Sequence, residues 1–245
     1  MNIDPRFKSD GRNQVSLPEP IRLGFPDWLP WRGIVALGIA TAIICAPFLL
    51  WWDLAIANTF AAFRDDAWVG AFRTLTAAGN SAFWYTPAVL GFIAALWVSR
   101  QSPDSAASWE WRRRARSILF VIVSMMMSGT IVNVLKITFG RHRPRFFFNE
   151  GVYGFEPFML DLRSAGFPSG HTQSITAAMV ALGFLWPKGR WVFWGFALVV
   201  ASSRFIITVH YAADVIAGAF VAIAVAWALK RYYERNGIPL AWARS

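Results

Sequence analysis

The chain has 245 residues and a formal net charge of +10, and 56% of its residues are hydrophobic while only 16% are charged. Together with a mean hydropathy of +0.40, this composition excludes an ordinary soluble domain, in which about a quarter of the residues are charged. The single cysteine, Cys45, excludes an intramolecular disulfide. The composition indicates a membrane protein, in which excess positive charge reflects basic cytoplasmic loops and anionic headgroups more often than nucleic acid.

The first part of the chain contains two apolar runs. Residues 1–32 are polar and lack a secretory apolar region, so they are predicted to form a cytoplasmic tail with Trp28 and Trp31 at the membrane surface. Residues 33–52 are uncharged and long enough to span a bilayer, and residues 82–98 form a second uncharged run. We therefore expect two transmembrane helices before residue 100.

Residues 53–80, which connect these two runs, are less apolar. Large apolar residues recur in this segment at Ile56, Phe60, Phe63, Trp68, Phe72 and Leu75. Their spacing predicts an amphipathic helix that lies in the membrane interface. A plain extramembrane loop with short helices is the alternative.

The middle of the chain alternates basic and apolar segments. Residues 100–116 carry a basic run, which is either a topology determinant or a site for lipid headgroups. Residues 117–135 form the third predicted span. Residues 137–167 are rich in aromatic residues and arginines, and we expect this loop to cap a site where its arginines meet an anionic headgroup. These arginines include Arg141, Arg145 and Arg163. His142 has no evident orienting partner, so a surface position is expected.

The last part of the chain contains three more predicted spans and a short basic tail. The spans are residues 172–186, 191–207 and 211–229, and the tail is residues 231–245. Arg204 lies near the end of the fifth span and Asp214 near the start of the sixth. Ionisable residues inside membrane segments are functional-site hypotheses by default.

Six spans place both termini on one side of the membrane. That side then carries sixteen Lys and Arg residues against eight on the other side, so the positive-inside rule predicts cytoplasmic termini. The expected architecture is an all-α bundle of six transmembrane helices over residues 33–230, with an interfacial helical segment between helices 1 and 2.

Residues 136–214 contain all three histidines of the chain and three compact polar clusters. The clusters are Lys136 to Pro144, which includes Arg143; Pro168-Ser169-Gly170-His171; and Ser203-Arg204 to His210 and Asp214. Each cluster interrupts or borders an apolar run, and this is costly enough to require a reason.

These residue types suit a phosphate ligand. Lys136, Arg143 and Arg204 are cations beside apolar segments; arginine presents a planar fork of donors that fits phosphate oxygens, and lysine adds a compact charge. If the apolar run after residue 174 is helical, the N–H groups of Ser169 and Gly170 lie at its N-terminus. Donors there are unpaired and the helix dipole favours an anion.

His210 and Asp214 form a candidate nucleophile and its orienting group. They are four residues apart, so on a helix they are neighbours on one face. A carboxylate in this position accepts a hydrogen bond from one imidazole nitrogen and leaves the other nitrogen unprotonated and nucleophilic. His171 is a second histidine that is free to handle protons.

The three clusters, Lys-x6-Arg-Pro, Pro-Ser-Gly-His and Ser-Arg-x5-His-x3-Asp, resemble the signature of the type 2 phosphatidic acid phosphatase (PAP2) superfamily, with every signature position present. The resemblance implies that His210 attacks phosphorus to form a phosphohistidine and that Asp214 orients it. It implies that His171 protonates the leaving oxygen and then activates water. The residues that would hold the phosphoryl oxygens, with no metal or other cofactor, are Lys136, Arg143, Ser169, Gly170 and Arg204.

Each cluster also has a structural interpretation. Lys136 and Arg143 could be interfacial anchors, the Ser169-Gly170 pair could be a turn before a helix, and the histidine and aspartate of the third cluster could be a polar pair between helices. The combination of all three at these spacings favours the phosphatase. A vanadate-dependent haloperoxidase shares the signature by resemblance, but those proteins are soluble, and the six apolar runs argue against that function.

The expected function is hydrolysis of a phosphomonoester or pyrophosphate on a lipid headgroup at the periplasmic face of a bacterial inner membrane. Candidate substrates are lipid A 1-phosphate, undecaprenyl pyrophosphate and phosphatidylglycerophosphate. The first is preferred because residues 76–85 loosely resemble the beginning of the second helix in bacterial lipid A 1-phosphatases. A lipid phosphotransferase and a non-enzymatic lipid transporter are the alternatives. The expected partners are the phosphorylated lipid and the bilayer, with no nucleic acid.

Overall fold

The computed structural model describes residues 29–101 and 106–240. Within these ranges the chain forms nine α-helices and no β-strand, so the predicted all-α class is confirmed. The predictions for the outer parts of the two tails, at residues 1–28 and 241–245, lie outside the described residues, and so does the predicted anchor Trp28.

The first apolar run forms helix α1 (Trp31–Pro47), which continues through a π-helical turn (Phe48–Trp52) into α2 (Asp53–Ala62). A π-helical turn inserts an extra residue into the helix and is frequently found at functional sites. Here the turn lies immediately before Asp53, a buried carboxylate at the end of an otherwise uncharged run.

The remaining helices are α3 (Ala67–Leu75), α4 (Ser81–Gln101), α5 (Ala106–Phe139), α6 (Pro144–Glu150), α7 (Gly170–Leu185), α8 (Arg190–Ile206) and α9 (Ala212–Arg235). Their ends follow local chemistry. Pro144 begins α6 and Gly151, with φ of 71°, ends it, while the Ser169 side chain caps α7.

Residues 53–80 form a helical segment, as predicted, but it consists of more than one helix, and its place in the membrane interface stays a prediction. They form α2, a bend at residues 63–66, α3 and a 3-10 turn (Thr76–Gly79). Both short helices pack against α8, and the Phe60 ring lies 5.7 Å from the Phe205 ring. This segment therefore covers part of the bundle at α8, while Phe63 and Trp68 stay exposed.

Helix α7 lies at the centre of the bundle. Twelve of its 16 residues are buried, and it packs against α5, α8 and α9. In the described part of the chain, four helical stretches are long and apolar enough to cross a membrane: Trp31–Ala62, Ala67–Gln101, Ala106–Phe139 and Ala212–Arg235. The chain is therefore an integral membrane protein. Helices α7 and α8 have only 16 and 17 residues, so the count of six spans stays a prediction.

Gly218 allows α9 to approach the residue that caps α7. A Cβ atom at Gly218 would lie 2.5 Å from the carbonyl oxygen of Ser169, a backbone atom that cannot rotate away. We therefore expect Gly218→Ala to lower the Tm in detergent by several degrees, although alanine is the better helix former. Gly195→Ala in α8 is the matched control, because nothing lies within 4 Å of its Cβ position. Equal Tm values for the two variants would contradict this packing.

Candidate active site

The predicted site residues meet at one end of the bundle. Lys136 and Arg204 lie in the last turns of α5 and α8, and Asp214 lies in the first turn of α9. The Ser169 N–H donates a hydrogen bond of 2.9 Å to the backbone oxygen of Asp214, which joins α7 to α9. His210 lies in the connection between α8 and α9. The charged or titratable groups whose electrostatic fields reach this histidine are Arg143, Lys136, Arg204 and His171.

His210 is 2% exposed, and its Nδ1 lies 3.4 Å from Oδ2 of Asp214. Burial, together with the charges of Arg143, Lys136 and Arg204, holds the pKa of His210 well below its ordinary value, so the ring is neutral at physiological pH. An ionised carboxylate can only accept a hydrogen bond, so it favours the tautomer with the proton on Nδ1. Among the described residues, Nε2 of this ring has no hydrogen-bond partner.

Three cations beside the histidine lack a carboxylate partner. No salt bridge within residues 29–101 and 106–240 involves Lys136, Arg143 or Arg204. Lys136 Nζ donates to the Ala165 carbonyl at 2.7 Å, and Arg204 Nη1 donates to Thr76 Oγ1 at 2.7 Å. Arg204 Nε is buried and has no hydrogen-bond partner in the same ranges. Because buried charges are unfavourable without a counterion, this arrangement is suited to an anion.

The N-terminus of α7 borders the same cations. Ser169 Oγ accepts a hydrogen bond of 3.4 Å from the Thr172 N–H, so the hydroxyl caps the helix. The first-turn N–H groups of Gly170 and His171 are of the kind that a helix leaves unpaired. A Cβ atom at Gly170 would lie 4.0 Å from Lys136 Cε, which places the helix terminus beside the lysine.

A cavity of about 460 Å³ opens beside His171, between α4, α5 and α7. No Lys, Arg, Asp or Glu of the described chain lines it. Its polar lining besides His171 consists of Asn80, Ser81, Tyr85, Thr130, Asn133, Gln173 and Ser174. A second cavity of about 330 Å³, further along the same three helices, has an apolar lining that includes Trp84, Pro87, Gly91, Ile118, Val121 and Leu182.

His142 lies outside this arrangement. It is partly buried, its Nε2 lies 3.4 Å from Oε2 of Glu156, and its backbone bridges to Ala165. It therefore has a partner that local sequence did not indicate, but none of these contacts joins it to His210.

The prediction for Arg141 is wrong. Instead of meeting a headgroup with the other arginines of its loop, Arg141 is fully buried and donates to Asp214 Oδ1 and to Asp53 Oδ2, at 2.7 and 2.8 Å. The rule that a carboxylate bordering an apolar run is a site hypothesis could have found Asp53. No local pattern pairs it with Arg141, which is 88 residues away. The exposed Arg145 and Arg163 remain compatible with the headgroup prediction.

The chain is similar to known proteins over part or most of its length. Residues 117–238 match the PAP2 superfamily. Lipid A 1-phosphatases of Rhizobium etli and Rhizobium johnstonii are each 34% identical over 99 residues, which make up 40% of this chain and 43% and 41% of those proteins. The match thus spans less than half the length of these relatives. The crystal structure of a transmembrane PAP2 type phosphatidylglycerolphosphate phosphatase from Bacillus subtilis covers 82% of this chain and 96% of its own, with a TM-score of 0.61 and 21% identity. That likeness shows a shared fold.

Proposed function

Because the chain belongs to the PAP2 superfamily, we propose that it hydrolyses a phosphomonoester or pyrophosphate on a lipid headgroup through a phosphohistidine. One observation carries the proposal: Lys136, Arg143 and Arg204 lie without carboxylate partners, in the described chain, beside the buried and neutral His210. Cations held in place without a protein counterion are suited to neutralise charge on a transferring phosphoryl group.

In the first half of the reaction, the Nε2 lone pair of His210 attacks phosphorus and the bond from phosphorus to the leaving oxygen breaks. His171 gives its proton to that oxygen, so a phosphomonoester substrate leaves as an alcohol and a pyrophosphate substrate leaves as a lipid phosphate. The proton on Nδ1 stays on the ring, and this N–H donates a hydrogen bond to Asp214. The negative charge of Asp214 stabilises the positive charge of the phosphorylated imidazole.

In the second half, a water molecule gives a proton to His171 and attacks phosphorus. The bond from nitrogen to phosphorus breaks and its electron pair returns to Nε2 of His210. Lys136, Arg143 and Arg204 hold the phosphoryl oxygens in both halves, with backbone N–H groups at the start of α7 as further donors.

The cavity beside His171 supports lipid A 1-phosphate as the substrate. The leaving oxygen must lie next to the general acid, so the rest of the headgroup lies in this cavity. Its amide and hydroxyl lining, without Lys or Arg among the described residues, suits a neutral sugar. Undecaprenyl pyrophosphate leaves a phosphate on the lipid, and phosphatidylglycerophosphate leaves a phosphodiester; both anions would lack a cationic partner there. The names of the two rhizobial relatives agree with this choice.

The proposed enzyme is a membrane domain over residues 33–230 with short tails in the cytoplasm, because basic residues are twice as numerous on the side of the termini. The site then faces the periplasm at the outer surface of the inner membrane. The apolar cavity between α4, α5 and α7 is suited to an acyl chain, which supports a reaction in which the lipid stays in the bilayer while its phosphate reaches the cations.

Phosphate release from four lipids in detergent tests this function. The panel is lipid A, undecaprenyl pyrophosphate, phosphatidylglycerophosphate and phosphatidic acid, each with and without EDTA. We expect the fastest release from lipid A and a change of less than about 2-fold with EDTA, since cations of the chain neutralise the phosphoryl charge. Faster cleavage of undecaprenyl pyrophosphate would contradict the substrate. Loss of activity with EDTA that Mg²⁺ restores would contradict the mechanism.

A further inference from the structure

Arg141 connects segments that are distant in the sequence. Its side chain is 0% exposed. Nη1 donates to Asp214 Oδ1 at 2.7 Å, and Nη2 donates to Asp53 Oδ2 at 2.8 Å and to the Tyr153 hydroxyl at 2.9 Å. The guanidinium carbon lies 4.4 Å from the centroid of the Tyr211 ring. One guanidinium therefore contacts α2, the loop after α6 and the start of α9.

The backbone around Arg141 directs its side chain inward. Gly140 has φ of 56°, and a Cβ atom there would lie 1.7 Å from the carbonyl oxygen of Glu156, so only glycine fits. The carbonyl of Arg141 accepts a hydrogen bond of 2.6 Å from the Gly166 N–H. Arg141 also forms a backbone bridge with Phe155. These contacts fix the arginine independently of any ligand.

Asp53 ties this network to the first helix. Its Oδ1 accepts a hydrogen bond of 3.1 Å from the Ala213 N–H in the first turn of α9. In the π-helical turn just before it, the Leu49 carbonyl accepts a hydrogen bond of 2.9 Å from the Tyr153 hydroxyl. Two routes thus link the first helix to the guanidinium that contacts Asp214.

We propose that Arg141 is a positioning residue that keeps Asp214 ionised and turned toward His210. The inference rests on the proposed function, in which His210 carries its proton on Nδ1. Arg141 occupies Oδ1 of Asp214, so Oδ2 is left for His210 Nδ1 at 3.4 Å and for the Tyr211 N–H at 3.0 Å. A buried carboxylate without a cation tends to bind a proton. A protonated Asp214 would donate to Nδ1, move the ring proton to Nε2 and block attack.

The second carboxylate separates Arg141 from the phosphate-binding cations. A guanidinium paired with Asp214 alone could turn toward the phosphate of the substrate. With Asp53, which is also buried, both terminal nitrogens of Arg141 are held by carboxylates. Asp53 is thus the group that keeps the arginine on the Asp214 side of the site.

Arg141→Gln tests this role, because it removes the charge and keeps hydrogen-bond donors. We expect kcat for phosphate release to fall about 10²- to 10⁴-fold, the range that loss of the correct histidine tautomer produces elsewhere. KM should change less than about 3-fold, since the phosphate-binding cations are untouched. The acid limb of kcat/KM should move to higher pH, because Asp214 without its cation binds a proton more readily. Arg141→Lys restores the positive charge, so the acid limb should return to its wild-type pH, although one ammonium cannot hold both carboxylates.

Asp53→Asn should give a different pH response. It removes a negative charge near Asp214, so the acid limb should stay in place or move to lower pH, with kcat reduced by less than about 10-fold. The groups that face Asp214 are Arg141, Asp53, Cys45, Lys136, Arg143, Tyr153, Tyr211 and His210, and those that face His210 are Asp214, Lys136, Arg143, His171 and Arg204. Among these variants, only those that lose the positive charge at position 141 are expected to move the acid limb of kcat/KM to higher pH.

A double variant separates positioning from folding. Arg141→Gln alone leaves two buried carboxylates without the guanidinium, whereas Arg141→Gln with Asp53→Asn leaves only one, so the double variant should have a higher Tm than Arg141→Gln and keep the gel-filtration profile of the wild type. It should still show the low kcat and the raised acid limb, measured with the panel lipid that the wild type cleaves fastest. A folded double variant with an unshifted limb overturns the inference alone. A wild type that releases phosphate from no lipid overturns the proposed function and this inference with it.

Discussion

Replacement of His210 by alanine should reduce phosphate release from lipid A by roughly 10⁴-fold or more, because the covalent route requires this nucleophile. The ring is buried beside Asp214, with Nε2 free of partners in the described chain. His142→Ala is the matched control: it removes the same side chain from a loop position that pairs with Glu156, and we expect a loss of less than about 3-fold.

Radiolabel trapping tests the same step directly. A phosphohistidine is labile to acid and stable to base, so wild-type protein incubated with ³²P-labelled lipid A should retain label after an alkaline quench and lose it in acid. His210→Ala should retain none. Labelling of that variant, or activity above about a tenth of the wild type, would assign the nucleophile to another residue.

Replacement of Arg204 by alanine should lower kcat/KM for lipid A by about 10³-fold, the loss expected when one buried donor to a developing oxyanion is removed. Its Nε is buried without a partner among residues 29–101 and 106–240, while Thr76 holds Nη1 and fixes the orientation of the guanidinium. Both kcat and the affinity for orthovanadate, a phosphate analogue, should fall, because the group contacts the anion in the ground state and in the transition state.

Arg64→Ala is the control for the loss of one positive charge. Arg64 is exposed in the bend between α2 and α3, so we expect kcat/KM to change by less than about 2-fold. If Arg204→Ala costs no more than Arg64→Ala, Arg204 serves only to hold the 3-10 turn at Thr76, and the phosphate site must be assigned to other residues.

Local spacing predicted the parts of the site that one element carries. His210 and Asp214 are four apart and lie within 3.4 Å of each other, although His210 precedes α9 and is not part of it. Ser169 and Gly170 lie at the N-terminus of α7, as predicted, although the Ser169 N–H is not unpaired because it donates to the Asp214 carbonyl oxygen. These features could be predicted because helix periodicity and capping act over only a few residues.

Contacts between distant segments could not be predicted from local spacing. A carboxylate after an apolar run marks a membrane boundary in local terms, and Asp53 was predicted only as the first residue of the less apolar segment 53–80. Its burial depends on Arg141 and on the Ala213 N–H, which are 88 and 160 residues away. A single sequence contains no signal for such pairing, since both partners are ordinary loop or boundary residues until the bundle has formed.

The number and length of the helices depended on packing as well. The apolar spacing in residues 53–80 was real, but α2 and α3 use it to pack against α8, so the chain bends between them. Helix α7 is short and polar at its start, and twelve of its residues are buried, since α5, α8 and α9 pack around it. Hydropathy alone cannot distinguish a helix packed in protein from one in lipid.

The apolar cavity between α4, α5 and α7 has an energetic consequence for the proposed reaction. Withdrawal of an acyl chain from a bilayer into water costs about 0.8 kcal/mol per CH₂ group, or roughly 10 kcal/mol for a chain of twelve carbons. A lipid that reaches the site sideways never crosses that barrier. The concentration that governs turnover is then the mole fraction of substrate in one leaflet. The products separate by phase, as the dephosphorylated lipid diffuses in two dimensions and inorganic phosphate in three.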